Sequence, residues 1–104
     1  MLPIELQAPQ DIARVLARRV KVLRLDRGWT QRELAERAGV ALATYRRFER
    51  TGRISLERLL RLALVLDALG GFHQLFVRPP AQSLEEMERR VERPGRQRGR
   101  RGDA

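Results

Sequence analysis

Apolar residues recur at helical spacing along most of this chain. From about Asp11 to Arg27, Ile12, Leu16, Val20 and Leu23 fall on one helical face, while Arg14, Arg18, Lys21 and Arg24 lie elsewhere. Pro9 and Gly28 bracket that segment as a start and a stop. Residues 30–52 then read as two short helices joined by a tight turn. Thr30 and Glu33 have capping-box spacing, and Trp29 and Leu34 stand where a hydrophobic staple belongs. Ala35 is small where a second helix must pass, and Gly39 suits a left-handed helix end. Leu34, Ala38, Val40, Tyr45 and Phe48 supply the apolar contacts between the two helices. Gly52 marks the next turn, again with positive φ expected.

Ser55 opens a fourth helix to about Ala68. Its apolar residues, Leu56, Leu59, Leu60, Leu62, Ala63, Leu64, Val65 and Leu66, are too many for one stripe. The surplus calls for a cover from a further helix, the termini or a second subunit. Gly70-Gly71 breaks the pattern, and a short fifth helix over Phe72–Phe76 offers Phe72, Leu75 and Phe76 to the core or to a dimer contact. Pro79-Pro80 ends the domain. Ser83 to Glu92 carries a second capping-box spacing but a thin apolar side of Leu84, Met87 and Val91. The expected fold is all-α, a compact bundle of four to five helices over residues 11–78. An extended lead-in (1–10) precedes it, either disordered or a strand added to a partner chain, and an arginine-rich, partly disordered tail (79–104) follows it.

The helix after Gly39 carries the chemistry. Projected from Ala41 to Arg50 at 3.6 residues per turn, Ala41, Tyr45, Phe48 and Glu49 share one face. Ala43, Arg46, Arg47 and Arg50 share the other, with Leu42 and Thr44 on the flanks. An apolar inner face and a three-arginine outer face suit a helix that enters the major groove of DNA. The alternative is an amphipathic surface helix with solvated arginines.

Charge sharpens this picture. The 104-residue chain has 22 basic residues against 13 acidic ones, a net charge of +9, and Lys21 is its one lysine. Arginine stays ionised and offers a planar fork to phosphate or guanine, so the chain should be drawn to polyanions. With no cysteine and a lone histidine, His73, no disulfide framework, metal centre or catalytic triad is expected, nor any cofactor. The chain lacks an apolar run long enough to span a membrane, and its start lacks the features of a signal peptide, so a cytoplasmic, nucleoid-associated protein is expected.

Leu16, Val20 and Leu23, then Arg24, Gly28, Thr30-Gln31, Glu33-Leu34-Ala35, Gly39-Val40, Glu49, Gly52 and the leucine-rich segment after Ser55 together resemble the XRE family of helix-turn-helix regulators, the Cro and lambda-repressor type. Ala41 replaces the family's frequent Ser or Thr cap, Tyr45 its aliphatic residue, and Ala17 a glycine of helix one. The resemblance implies a dimeric double-stranded DNA-binding regulator, expected to be a repressor. It places Thr30, Gln31, Arg50 and Arg53 on phosphates and Leu42, Ala43, Thr44, Arg46 and Arg47 in the groove. Arg46 or Arg47 can reach guanine, and one of them can instead hold phosphate. The resemblance also implies an Arg24–Glu49 pair between helices one and three, which agrees with the inward projection of Glu49, since an inward carboxylate needs a partner.

Two other readings compete. A further resemblance, to antitoxins that accompany HipA-type kinases, implies a toxin protein as partner alongside autoregulation of an operon. RNA binding through Arg93, Arg96, Arg98, Arg100 and Arg101 is disfavoured by the scarcity of free aromatic residues for base stacking.

Overall fold

The computed structural model describes residues 3, 7–80, 87–89 and 91. The expected lead-in strand around Ile4 and Leu6 lies largely outside them, as do most of the expected helix at 83–92 and all of the arginine-rich run 93–104. The described residues are helical, with no strand among them. Four α-helices follow in order: α1 (Pro9–Asp26), α2 (Gln31–Ala38), α3 (Leu42–Thr51) and α4 (Leu56–Val65). A 3₁₀ turn (Leu69–Gln74) follows α4.

Helix α1 begins two residues before the sequence suggests, because proline is well suited to the first helical turn, where its missing N–H has no partner to lose. Its buried side is also rotated. Leu16, expected in the core, is 37% exposed, whereas Ala17 is 1% exposed and Arg24 is buried. Val20 and Leu23 pack at the edge of the core. The reason lies in α3, which crosses close to α1. A Cβ built on Gly52 would sit 2.8 Å from the Ala13 carbonyl carbon and 2.9 Å from the Arg14 nitrogen, so small residues must line that crossing.

The core gathers Ala17, Leu34, Ala35, Ala38, Val40, Tyr45, Phe48, Leu62 and Leu66, with Trp29, Leu42, Ile54, Leu59 and Val65 packed around it. The sequence signals that bound α2 and α3 are all present. The Thr30–Glu33 capping box forms with both bonds. Gly39 and Gly52 close their helices with φ of 68° and 83°. Helix α3 starts at Leu42 although Ala41 gives no side-chain cap. Trp29 packs on the core and meets two guanidinium groups, with Arg37 4.4 Å and Arg27 5.6 Å from its ring centre.

Helix α4 is shorter than its leucine pattern suggests. Ser55 caps its start by accepting the Arg58 N–H. At the far end Asp67 turns left-handed at φ 56°, and Arg27 holds this corner by donating to the Leu66 carbonyl and the Asp67 carboxylate, each at 3.2 Å. Gly70 and Gly71 do not break the chain here but lie inside the 3₁₀ turn. Phe72 is half-buried, and Leu75 and Phe76 are 55% and 103% exposed, so these two do not reach the core.

Candidate nucleic-acid interface

Two buried aromatic residues orient α3. Tyr45 and Phe48 are 0% and 1% exposed, and their burial turns Ala43, Arg46, Arg47 and Arg50 to solvent. Thr44 is half-buried on the flank. Leu42 is half-buried too and packs against the core, so less of it faces outward than of Ala43, Arg46 and Arg47.

Beneath this face lies the expected Arg24–Glu49 pair, each side chain 8% exposed. Arg24 Nε donates to Glu49 Oε2 at 2.9 Å, and Nη2 donates to Oε1 at 3.3 Å. Arg24 Nη1 also donates to the Trp29 carbonyl at 2.8 Å, tying the α1–α2 connection to the same group. Two further donors reach Glu49: the Tyr45 hydroxyl and, at 2.9 Å, Gln31 Nε2. Burial pushes the Glu49 carboxyl up. Hydrogen bonds from Arg24, Tyr45 and Gln31, with the Arg24 charge, outweigh that push and hold it below the usual carboxylate range. Burial and the neighbouring carboxylate keep the Tyr45 phenol protonated far above its ordinary range.

Gln31 links this cluster to the surface. Its amide nitrogen faces Glu49, and its Oε1 accepts from Arg46 Nε at 3.2 Å. Thr30 sits exposed at the cap, its N–H donating to Glu33 Oε1 at 2.8 Å and its hydroxyl oxygen accepting the Glu33 N–H at 3.0 Å. Its hydroxyl proton remains available to an acceptor outside. The bonds from Thr30 hold the Glu33 carboxyl below its usual range.

On the opposite flank, Pro9, Gln10, Ala13 and Arg14 of α1 meet Arg47, Thr51 and Arg53 across an open cleft. The Thr51 hydroxyl shapes this corner, donating to the Arg47 carbonyl at 2.7 Å and accepting the Arg53 N–H at 3.1 Å. The structure thus brings Arg14 to two of the expected arginines. Sequence reading had only set Arg14 off the core stripe. The Tyr45 hydroxyl was likewise missed; its signal was the departure from an aliphatic residue at a core position.

Two short helices joined by a left-handed glycine, with the second held outward by its aromatic underside, define a helix-turn-helix unit. A helix-turn-helix family model matches residues 20–69, spanning α2, α3 and α4. The chain is also 33% identical over 87 residues to a "Neisseria hypothetical transcription factor" from Neisseria meningitidis serogroup B (strain ATCC BAA-335 / MC58). That match covers 83% of this chain and 79% of the relative. The chain belongs to the XRE-type helix-turn-helix family.

Proposed function

We propose that this protein is a sequence-specific double-stranded DNA-binding transcriptional repressor that acts as a dimer. One observation carries the reading: Ala43, Arg46, Arg47 and Arg50 form one exposed face of a helix whose other face is sealed by Tyr45 and Phe48. An α-helix fits the major groove, and guanidinium groups match both guanine edges and phosphates. Thr30 at the cap of α2, Arg14 and Arg53 flank that face as phosphate contacts, and Arg50 on the face is another; such contacts set register while bases set sequence. The relative's description as a transcription factor supports the regulatory role.

One recognition helix reads few base pairs, so two copies on a near-palindrome are expected, with half-sites about 34 Å apart. Leu64, Leu75, Phe76 and Val77, all more than half exposed, supply apolar surface for that contact. The same surface favours a second reading, in which a toxin protein occupies it and the chain is an antitoxin that also represses its own operon. Selection of duplexes from a random library with the purified protein tests the main reading. A two-fold symmetric site is expected; recovery of no preferred sequence would overturn it.

A further inference from the structure

The expected groove residues include two adjacent arginines, either of which could reach guanine or hold phosphate. The side-chain network separates them. At about 100° per residue, Arg46 falls on the flank of α3 shared with Leu42 and Glu49, the flank facing α2. Arg47 falls further round, beyond Ala43 and toward the α1 flank, and no hydrogen bond among the described residues holds its guanidinium. Arg46, by contrast, is tethered. Its Nε donates to Gln31 Oε1 at 3.2 Å, and Gln31 Nε2 donates to Glu49 Oε1 at 2.9 Å. Glu49 is held in turn by Arg24 and by the Tyr45 hydroxyl. Only one orientation of the Gln31 amide fits, because its nitrogen must meet the carboxylate and its oxygen the guanidinium.

We infer that Tyr45 and Glu49 are positioning residues which, through Gln31, hold Arg46 at the first turn of α2 as a phosphate clamp and leave Arg47 as the base-reading arginine. The inference rests on the DNA-binding reading above. With Nε engaged, Arg46 keeps its two Nη groups for an anion beside the α2 start, where unpaired backbone N–H groups favour negative charge. Arg47, exposed and with its guanidinium untethered, keeps all its donors for a base edge instead. Tyr45 therefore acts on DNA without touching it.

The test uses the full-length chain and has two arms. In the free protein, NMR of the arginine Nε–H groups should show Arg46 protected from solvent exchange relative to Arg47, with the protection lost in Gln31→Ala. Equal exchange rates at the two residues would overturn the tether. In the DNA arm, Arg46→Ala should weaken binding to the selected duplex and to a scrambled one by the same factor. The slope of log affinity against log salt should fall by about 0.9, with base preference unchanged. Arg47→Ala should relax preference at one base pair. Tyr45→Phe, which keeps the buried ring, should weaken binding about threefold to tenfold, as loss of one hydrogen bond does, and by nothing more in the Arg46→Ala background. Gln31→Ala, at a half-exposed position, should repeat that pattern. Relaxed base preference in Arg46→Ala, or a Tyr45→Phe loss equal with and without Arg46, would overturn the inference. A protein that selects no duplex overturns the function reading, and the NMR arm still decides the tether.

Discussion

At the residue scale, Glu49 is the most demanding position in the molecule. A carboxylate with 8% of its side chain exposed is tolerated because Arg24, Tyr45 and Gln31 all donate to it. The folded carboxyl titrates below the unfolded one, so its stabilisation is complete above the unfolded value of about 4.3 and is lost as pH falls through the folded value. Glu33 adds a contribution of the same sign. Thermal unfolding should therefore show the midpoint dropping as pH is lowered below about 4.3, and Glu49→Gln should flatten that drop. At neutral pH the same variant leaves Arg24 buried beside a neutral partner, a loss of about 3–5 kcal/mol. Tyr45 has the opposite sign. Its folded phenol titrates above the unfolded value of about 10, so its stabilisation is complete below that value and declines as pH rises beyond it. Tyr45→Phe should remove this alkaline loss, read from the same melting curves. The Arg24–Glu49 pair was legible in the sequence through the family resemblance, with which the inward projection of Glu49 agrees. The parts played by Gln31 and Tyr45 were not, because a helical projection gives the face of a residue but not its rotamer.

At the scale of elements, local rules located α2 and α3 almost to the residue. Their boundaries rest on short-range chemistry: the Thr30–Glu33 box and two left-handed glycines. The elements whose limits depend on distant partners were harder to read. In α1 the stripe of large apolar residues pointed to Leu16, yet the crossing with α3 selects Ala13 and Ala17 for smallness. At the end of α4 an aspartate takes the left-handed position that a glycine usually signals, stabilised by Arg27 from another helix. The α1–α3 crossing also separates two glycines that look alike in sequence. Gly28 and Gly52 both have positive φ, but a Cβ at Gly28 meets nothing within 4 Å, whereas at Gly52 it meets α1 backbone. Gly28→Ala should cost about 1–2 kcal/mol, the strain of the backbone alone. Gly52→Ala adds overpacking against main chain that cannot yield, about 1–3 kcal/mol more. Urea denaturation of the two variants compares them directly, and equal losses would show that α3 can move away from α1.

At the scale of the whole molecule, two exposed surfaces among the described residues bear on partners: the arginine face of α3 and the apolar residues toward the chain's C-terminal side. The first was legible because arginines cluster at helical spacing. The second was legible as a surplus of leucine together with Phe72, Leu75 and Phe76, offered to the core or to a dimer contact, but sequence cannot say which of these close the core. The structure sorts them. Leu62 and Leu66 are buried, whereas Leu64, Leu75 and Val77 are more than half exposed and Phe76 is fully so. An aromatic ring left wholly in water at a left-handed backbone position gains nothing from the monomer fold. If a second copy covers it, polar replacement should leave the fold intact and dissolve the dimer. The double variant Leu75→Ser with Phe76→Ser is therefore expected to melt like the parent at low concentration yet sediment as a monomer where the parent sediments as a dimer. On DNA it should keep the base preference of one half-site, because α3 is untouched, and lose the affinity that two linked half-sites provide. Sedimentation equilibrium at tens of micromolar checks the first outcome and titration of full and half-site duplexes the second. A parent chain that stays monomeric across that range would rule out this patch as a self-association surface.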